Sequence, residues 1–229
     1  FNRLVDAKID AKNPRTQNRH LPKGLLTKRF VKLFTFICVT FFLIDCYFIN
    51  SLSFLISPFV IVFLLAYSYT KRFTWLTHIW LGLCLSYAPL GAWVAITNQW
   101  PWPALSLGLA VIFWVAGFDI IYATQDEVFD RKEGIYSIVA RLGLVKALWI
   151  SRGFHLLSLL WLILFGIQNQ LGSIYYGTVV LIAVGLFYEQ SLVKPSDLSK
   201  VNAAFLNMNG MIGLFFFLGI LLERITHFQ

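Results

Sequence analysis

Two short runs of acidic residues are the part of this sequence best suited to chemistry. The first is Asn2, Asp6 and Asp10 in NRLVDAKID, and the second is Asp126 and Asp130 in DEVFD. Residues four apart on an α-helix differ by roughly 40° in direction and about 6 Å in height, so each run is expected to present its polar side chains on one face. Carboxylate and amide oxygens grouped in this way are typical ligands of a hard cation such as Mg²⁺.

Basic residues beside both runs indicate what such a cation would hold. Lys12 and Arg15 follow the first run, and Arg131 and Lys132 follow the second. Protein-bound Mg²⁺ usually completes its shell with substrate phosphates, and Lys and Arg donate to phosphate oxygens. Each run alone is equally well explained as a solvated helix end with acid–base pairs four residues apart. Two runs of like spacing in one very apolar chain instead favour a diphosphate held through Mg²⁺.

The chemistry that such a site supports begins with the loss of diphosphate, which leaves readily once metal ions and cationic side chains neutralise its charge. Loss of diphosphate from an allylic substrate gives a carbocation, which an electron-rich ring can attack. Water must be excluded from that step, and a bundle of helices can exclude it. The residues therefore predict the transfer of an allylic group from a lipid-soluble diphosphate.

The composition places this site in a membrane protein. Of 229 residues, 58% are hydrophobic and 13% are charged, and the mean hydropathy is +0.70. Soluble domains carry about 25% charged residues, so an ordinary soluble domain is excluded, and so is a disordered chain. In so apolar a chain, the net charge of +8 is typical of loops beside anionic lipid rather than of a nucleic-acid-binding surface.

A membrane-spanning helix takes about 20 mostly apolar residues. Seven stretches qualify: 29–48, 51–69, 77–97, 102–122, 144–167, 172–190 and 205–224. These runs are continuous and lack the alternation of a β-barrel strand. The sequence therefore predicts an all-α, polytopic transmembrane helix bundle that forms one domain over residues 1–229.

The charge of the connections alternates along the chain and predicts the orientation. Lysine and arginine mark one set of connections, and this set includes Lys23, Lys28, Arg29, Lys32, Lys71, Arg72, Arg131, Lys132, Arg141, Lys146, Lys194 and Lys200. The connections near 49–51, 98–101 and 168–171 contain neither residue type. The positive-inside rule assigns the basic set to the cytoplasm. Both acidic runs lie on that side, so the active site is expected to face the cytoplasm.

Three segments resemble the UbiA-type intramembrane aromatic prenyltransferases. The family's first motif, N-x-x-x-D-x-x-x-D, reads NRLVDAKID here, and its second, D-x-x-x-D, lies in YATQDEVFDRKEGIYSIVARLG. The segment YSYTKRFTW looks like the family's second cytoplasmic loop. The resemblance covers nearly the whole chain and implies a nine-helix bundle. This chain would hold seven complete spans, with helix 1 and most of helix 2 expected upstream of Phe1.

The resemblance also implies roles for individual residues. Two Mg²⁺ ions would be held by Asn2, Asp6, Asp10, Asp126 and Asp130, and the four aspartates with Tyr122 would be catalytic. Phosphate oxygens would be held by Lys71, Arg72, Arg15 and Arg131. Tyr67, Tyr69 and Tyr122 either stabilise the carbocation through their rings or form an interfacial aromatic belt. Asp119 either acts on the aromatic acceptor or orients Tyr122. Arg3 stands where many members have Asp, which removes one possible metal ligand.

By resemblance, the protein is an Mg²⁺-dependent prenyltransferase of the 4-hydroxybenzoate polyprenyltransferase-like branch. It would transfer a polyprenyl group from prenyl diphosphate to an aromatic acid in ubiquinone or menaquinone synthesis, in a bacterial inner membrane. Its partners would be these substrates and membrane lipid, with neither nucleic acid nor an obligate protein partner. A cation-coupled transporter is the alternative, but acids crowded on one face rather than at the midplane disfavour it.

Polar residues elsewhere are expected to serve structure. Arg152 and His155, one helical turn apart, predict a polar contact between helices. Hydrogen bonds across helices, rather than contacts with substrate, are expected of Asn202, Asn207 and Asn209. His78 is expected in an interfacial loop, and Asp45 near the outer end of its span.

Overall fold

The computed structural model describes residues 1–227, which form helices joined by turns, with no β-strand in that range. The α-helices are α1 (Asn2–Val5), α2 (Ala7–Asp10), α3 (Lys28–Ile49), α4 (Ser51–Thr70), α5 (Thr77–Thr97), α6 (Leu105–Ala123), α7 (Glu127–Glu133), α8 (Ile138–Leu142), α9 (Leu144–Gln168), α10 (Ser173–Leu192) and α11 (Asn209–His227). Short 3₁₀ turns at Trp102–Ala104 and Thr124–Asp126 flank α6, and a π-helical turn at Ala203–Met208 leads into α11.

All seven stretches predicted to span a membrane form helices, namely α3 to α6 and α9 to α11. Six helical segments of the described range are long and apolar enough to cross a membrane. The helix α10, which carries Glu189 and Gln190 near its end, is not one of these six. The predicted all-α membrane helix bundle is confirmed, and the protein is an integral membrane protein.

The helices pack largely in chain order, with α6 at the centre. Contacts join α3 to α4, α4 to α5, α5 to α6, α6 to α9, α9 to α10 and α10 to α11. In the most apolar stretch of the segment that contains α6, 50% of the residues are buried, compared with 6% in the corresponding stretch of α3. The helix α6 is therefore enclosed by protein, whereas α3 lies at the edge of the bundle and presents its apolar side chains outward.

Small residues let α6 approach its two neighbours closely. A Cβ atom added at Gly82 of α5 would lie 2.3 Å from the carbonyl oxygen of Ile112 in α6. On the other side, the Ser151 hydroxyl of α9 donates to the carbonyl of Gly117 at 2.8 Å. Such close backbone contacts are typical of helix pairs in membranes. They fix α6 in the bundle and with it the end of α6 that leads to Asp126.

Candidate active site

The first acidic run forms one irregular helical segment. The helix is interrupted at Asp6, where φ is −91° and ψ is 1°. Backbone hydrogen bonds nevertheless run from Asp6 N to Asn2 O at 2.9 Å and from Asp10 N to Asp6 O at 2.8 Å. This continuity preserves the four-residue register, and all three side chains line one polar pocket.

The second acidic run faces the first across this pocket. Asp126 ends the 3₁₀ turn that follows α6, and Asp130 lies on the short helix α7. Both residues line the same pocket, whose volume is about 140 Å³. The helix α7 ends at Glu133, and Gly134 after it adopts the left-handed conformation with φ of 68°. The fold thus brings together two carboxylate pairs that are more than a hundred residues apart in the chain.

Cationic side chains neutralise the first pair. Asp6, whose side chain is 1% exposed, accepts from the Arg72 guanidinium at 2.9 Å and forms an ion pair with the Lys71 ammonium. Both Asp10 oxygens accept from Arg19 Nη1, at 2.8 and 2.9 Å. The Asn2 amide donates to Asp6 Oδ2 at 3.2 Å. Of the predicted diphosphate ligands, Lys71 lines the pocket, and Arg72 contacts the pocket residue Asp6.

Arg15 and Asn13 hold Asp126 in the second pair. Arg15 Nε donates to Asp126 Oδ1 at 2.9 Å, its Nη2 contacts Oδ2, and its Nη1 donates to the Tyr122 hydroxyl at 2.7 Å. Asn13 Nδ2 also donates to Asp126 Oδ1 at 2.9 Å. Burial lowers the pKa of Arg15, but the hydrogen bonds and charge of Asp126 outweigh it, and the pKa is raised overall. The Asp130 carboxylate has no hydrogen bond or ion pair within the described residues, which leaves its two oxygens open to a ligand.

Arg131 and Tyr69 lie away from this pocket. Arg131 pairs with Glu127 at 3.1 Å on the outer face of α7, and its side chain is 52% exposed. One step beyond Asp130 on a helix turns a side chain by roughly 100°, so Arg131 cannot share the orientation of that carboxylate. Tyr69 is exposed and lies beneath the Arg72 guanidinium, 5.6 Å from ring centroid to Cζ. Arg131 therefore lacks the position at the pocket that a phosphate ligand needs, and the exposed Tyr69 fits the aromatic-belt alternative. Tyr67 lines the pocket, and Tyr122 contacts it through Arg15.

Three polar residues near the pocket were missed by sequence reasoning. Asn13 lies outside the four-residue spacing of the first acidic run, and Arg19 lies nine residues after its partner Asp10 with no recognisable spacing. The expectation that His78 lies in an interfacial loop is wrong. His78 is buried in α5, and its Nδ1 lies 2.7 Å from Asp119 Oδ2. The sequence does not predict this pair, because His78 and Asp119 belong to different helices and lie among apolar residues.

The contacts between helices that were expected of His155 and Asn209 are present, whereas the contact of Arg152 lies within its own helix α9. His155 Nδ1 lies 3.0 Å from Gln190 Nε2 of α10, whereas Arg152 instead stacks on the Trp149 ring at 4.5 Å. The carboxamide oxygen of Asn209 accepts from Trp114 Nε1 at 2.7 Å.

The donor chemistry of the pocket fits Mg²⁺. Four carboxylates and the amide groups of Asn2 and Asn13 supply hard oxygen atoms around one small volume. Within residues 1–227, no three His, Cys, Asp or Glu side chains are grouped closely enough to hold a metal ion by themselves. A Mg²⁺ ion held here would therefore need substrate phosphates and water to complete its shell.

Comparison with known proteins identifies the family. The model of the UbiA prenyltransferase family matches residues 1–218. The chain belongs to the UbiA prenyltransferase family. A 4-hydroxybenzoate octaprenyltransferase of Vibrio campbellii is 32% identical over 223 residues, which cover 97% of this chain and 78% of that relative. The protein of the same name from Aliivibrio fischeri strain ES114 is 36% identical over 217 residues, or 94% of this chain and 75% of the relative.

Two solved structures share the fold of this chain. The apo structure of a UbiA homolog from Aeropyrum pernix K1 superposes with a TM-score of 0.88 at 29% identity, covering 97% of this chain and 82% of that one. A digeranylgeranylglyceryl phosphate synthase structure gives a TM-score of 0.71 at 23% identity, covering 95% of this chain and 78% of that one, and shows the fold alone. The resemblance predicted from the two motifs is confirmed. This UbiA family member is a prenyltransferase, and the transporter alternative is set aside.

Proposed function

We propose that this prenyltransferase transfers a polyprenyl group from an allylic prenyl diphosphate to an aromatic acid, with 4-hydroxybenzoate as the acceptor. The names of the Vibrio and Aliivibrio relatives support this acceptor. The observation that carries the proposal is the meeting of two carboxylate pairs around one pocket. Each pair brings Lys or Arg side chains to the pocket, which suits a polyanionic substrate.

Mg²⁺ is the cofactor that we propose for this pocket. The residues that would hold it are Asn2, Asp6, Asp10, Asp126 and Asp130. When bound, it supplies neutralising charge to the diphosphate, which makes the diphosphate a better leaving group.

Lys71, Arg72 and Arg15 are proposed to hold the diphosphate directly. Each of these side chains is now paired with a carboxylate of the pocket. A guanidinium matches carboxylate and phosphate oxygens with the same planar set of donors. These side chains can therefore exchange a carboxylate for a phosphate oxygen when substrate enters. In that position they orient the diphosphate and reduce the charge that builds up on it as the bond to carbon breaks.

A continuous set of aromatic rings leads from the pocket into the bundle. The Tyr122 ring stacks on Phe205 with centroids 4.1 Å apart, and Phe118 meets Phe205 at 5.4 Å. Trp114 follows at 6.0 Å from Phe118. The faces of aromatic rings are negative and attract cations. We propose that this wall, with Tyr122 nearest the diphosphate, stabilises the allylic cation and keeps water away from it.

The pocket is proposed to face the cytoplasm of a bacterial cell, where the product would enter ubiquinone or menaquinone synthesis. The alternation of Lys and Arg between connections supports this orientation. The bacterial relatives support an inner-membrane location.

The proposed reaction is tested in membranes that contain the protein, supplied with Mg²⁺, labelled prenyl diphosphate and a panel of aromatic acids. We expect label to appear on 4-hydroxybenzoate, and Asp126→Asn to abolish the transfer. Asp45→Asn, an identical change at an exposed position of α3, should leave transfer unchanged. Label on none of the acids would overturn the proposed function, and label on a different acid would overturn the proposed acceptor.

A further inference from the structure

His78 and Asp119 form a polar pair between α5 and α6 that the proposed function leaves without a role. The distance from His78 Nδ1 to Asp119 Oδ2 is 2.7 Å, and the His78 side chain is 3% exposed. His78 Nε2 is buried and has no hydrogen-bond partner among the described residues. Buried polar atoms usually have hydrogen-bond partners. If the pair served only to join two helices, a partner for His78 Nε2 would therefore be expected as well.

Asp119 has one fixed oxygen and one open oxygen. Its Oδ2 is held by His78, whereas its Oδ1 makes no hydrogen bond to any residue in the range 1–227. The Asp119 side chain as a whole is 17% exposed, compared with 3% for His78. An ionised carboxylate is an acceptor only, and its free lone pairs seek a proton donor. Asp119 is thus oriented as a proton acceptor.

The position of Asp119 is between the polar pocket and the apolar interior. Asp119, Tyr122 and Asp126 are three and four residues apart, so they follow one side of the helical segment toward the pocket. Asp119 lies roughly 10 Å deeper than Asp126, at about 1.5 Å per residue. Tyr67 of α4 lines the pocket together with Asp6.

The substrates must react at this depth. A diphosphate held in the pocket leaves the first prenyl carbon on the membrane side of the phosphates, because the prenyl tail belongs in the apolar interior. The acceptor ring must approach that carbon there. The pocket carboxylates Asp6, Asp10 and Asp126 already accept from Arg and Lys side chains. Asp119 is not one of the proposed metal ligands. It is the carboxylate of α6, and it lies on the membrane side of Asp126, where the two carbons must meet.

We propose that Asp119, oriented by His78, accepts the proton that the aromatic acceptor loses during prenyl transfer. This inference rests on the proposed function. The bond from the first prenyl carbon to diphosphate breaks, and its electron pair leaves with the diphosphate. A ring carbon beside the acceptor hydroxyl then forms a bond to the prenyl carbon. The bond from that ring carbon to hydrogen breaks, its electron pair restores the aromatic ring, and the proton passes to Asp119 Oδ1.

His78 acts in this scheme as a positioning residue. Donation from its Nδ1 fixes Asp119 Oδ2 and thereby directs Oδ1 away from α5. Thr77, the preceding residue, lines the pocket, and its hydroxyl lies 2.8 Å from that of Thr70. This contact anchors the first turn of α5 to the end of α4, so the His78 ring is held at a fixed height beside α6.

The test compares Asp119→Asn with the wild-type protein, using 4-hydroxybenzoate that carries deuterium at the ring carbons beside the hydroxyl. Wild-type transfer should show no isotope effect, because proton loss is fast. The variant should transfer about 10²–10⁴-fold more slowly, the usual contribution of a general base. It should also show a primary isotope effect and release prenyl alcohol, since the cation still forms. Asp45→Asn is the matched control and should behave as wild type.

Substitutions of His78 separate positioning from folding. His78→Asn keeps a donor near the place of Nδ1 and should retain most of the activity without an isotope effect. His78→Leu removes the donor and should show a smaller rate loss than Asp119→Asn, with an isotope effect.

The outcomes distinguish this inference from the proposed function. Wild-type protein that prenylates no aromatic acid would overturn the proposed function. Wild-type transfer combined with unchanged rate in Asp119→Asn would overturn the inference alone. A slow Asp119→Asn variant without an isotope effect, which also fails to consume prenyl diphosphate, would show a binding or structural role and would overturn the inference as well.

Discussion

Arg15 and Asp126 are 111 residues apart in sequence, and their ion pair joins the loop after the first acidic run to the turn that carries the second. The same guanidinium donates to the Tyr122 hydroxyl and lies 4.9 Å from the centroid of its ring. One side chain thus connects a proposed metal ligand, the proposed diphosphate site and the aromatic wall. Replacement of Arg15 should therefore weaken the binding of the anionic substrate more than it lowers the stability of the bundle.

Arg15→Gln should raise the KM for prenyl diphosphate roughly 10- to 100-fold, because a hydrogen bond to a charged group contributes about 1.5–3 kcal/mol. The KM for the aromatic acceptor should change little. Steady-state kinetics in detergent or vesicles measures both values.

Arg131→Gln is the matched control for this prediction. Arg131 pairs with Glu127 on an exposed face, and such pairs contribute about 0–1 kcal/mol. Arg131→Gln should therefore leave the KM for prenyl diphosphate nearly unchanged. An equal rise in this KM for the two variants would contradict the prediction, because it would show that the contact of Arg15 with Asp126 does not distinguish the two arginines.

Metal removal should abolish prenyl transfer, and added Mg²⁺ should restore it. The carboxylates that would hold the ion repel a diphosphate when no cation lies between them. Asp130→Asn should abolish prenyl transfer at every Mg²⁺ concentration, as metal removal does in the wild type, because the carboxylate without a partner in the protein is lost. Activity that survives both EDTA and the double change Asp126→Asn and Asp130→Asn would contradict the role of this cluster.

Single cysteines test the orientation of the chain. After replacement of the native cysteines, Phe73→Cys and Val128→Cys should resist a membrane-impermeant thiol reagent applied outside intact cells. Both positions are exposed in the connections on the basic side. Gln99→Cys, in the opposite connection, should be labelled. Labelling of Phe73→Cys and Val128→Cys with protection of Gln99→Cys would reverse the proposed topology.

Two glycines of α5 provide a test of helix packing. Gly82→Ala would place its Cβ atom 2.3 Å from a backbone oxygen of α6, whereas Gly91→Ala meets no atom within 4 Å. Overpacking of this kind costs typically 1–3 kcal/mol. Gly82→Ala should therefore lower the melting temperature in detergent, and Gly91→Ala should leave it equal or slightly higher. Equal melting temperatures for the two variants would contradict the close contact of α5 with α6.

The sequence predicted the helices well because membrane insertion depends on local apolar composition. The predicted span 77–97 coincides with α5. The end of α7 before Gly134 likewise depends only on neighbouring residues. The irregular turns at Thr124–Asp126 and Ala203–Met208 were not predicted. Their geometry depends on how α6 and α11 pack, and a hydropathy pattern contains no information on that packing.

The site was predicted in part, for a similar reason. Asp6 and Asp126 were identified because carboxylates are conspicuous in an apolar chain, and their meeting follows from shared placement on one side of the membrane. The contacts of Arg19 and His78 depend on distances between helices and loops. The family resemblance also implies a phosphate-binding role for Arg131, although its position around α7 directs it to Glu127.

The most direct test of the central claim is a double-mutant cycle on Asp10 and Asp130, measured as Mg²⁺-dependent binding of an unreactive prenyl diphosphate analogue. If both acidic runs hold one metal–diphosphate unit, Asp10→Asn and Asp130→Asn should each weaken binding at least tenfold. The double variant should then bind about as weakly as the worse single variant, because the two residues act on one ligand. Free-energy losses that simply add, or binding that is unchanged by either substitution or by removal of Mg²⁺, would contradict the claim that the two runs form one site.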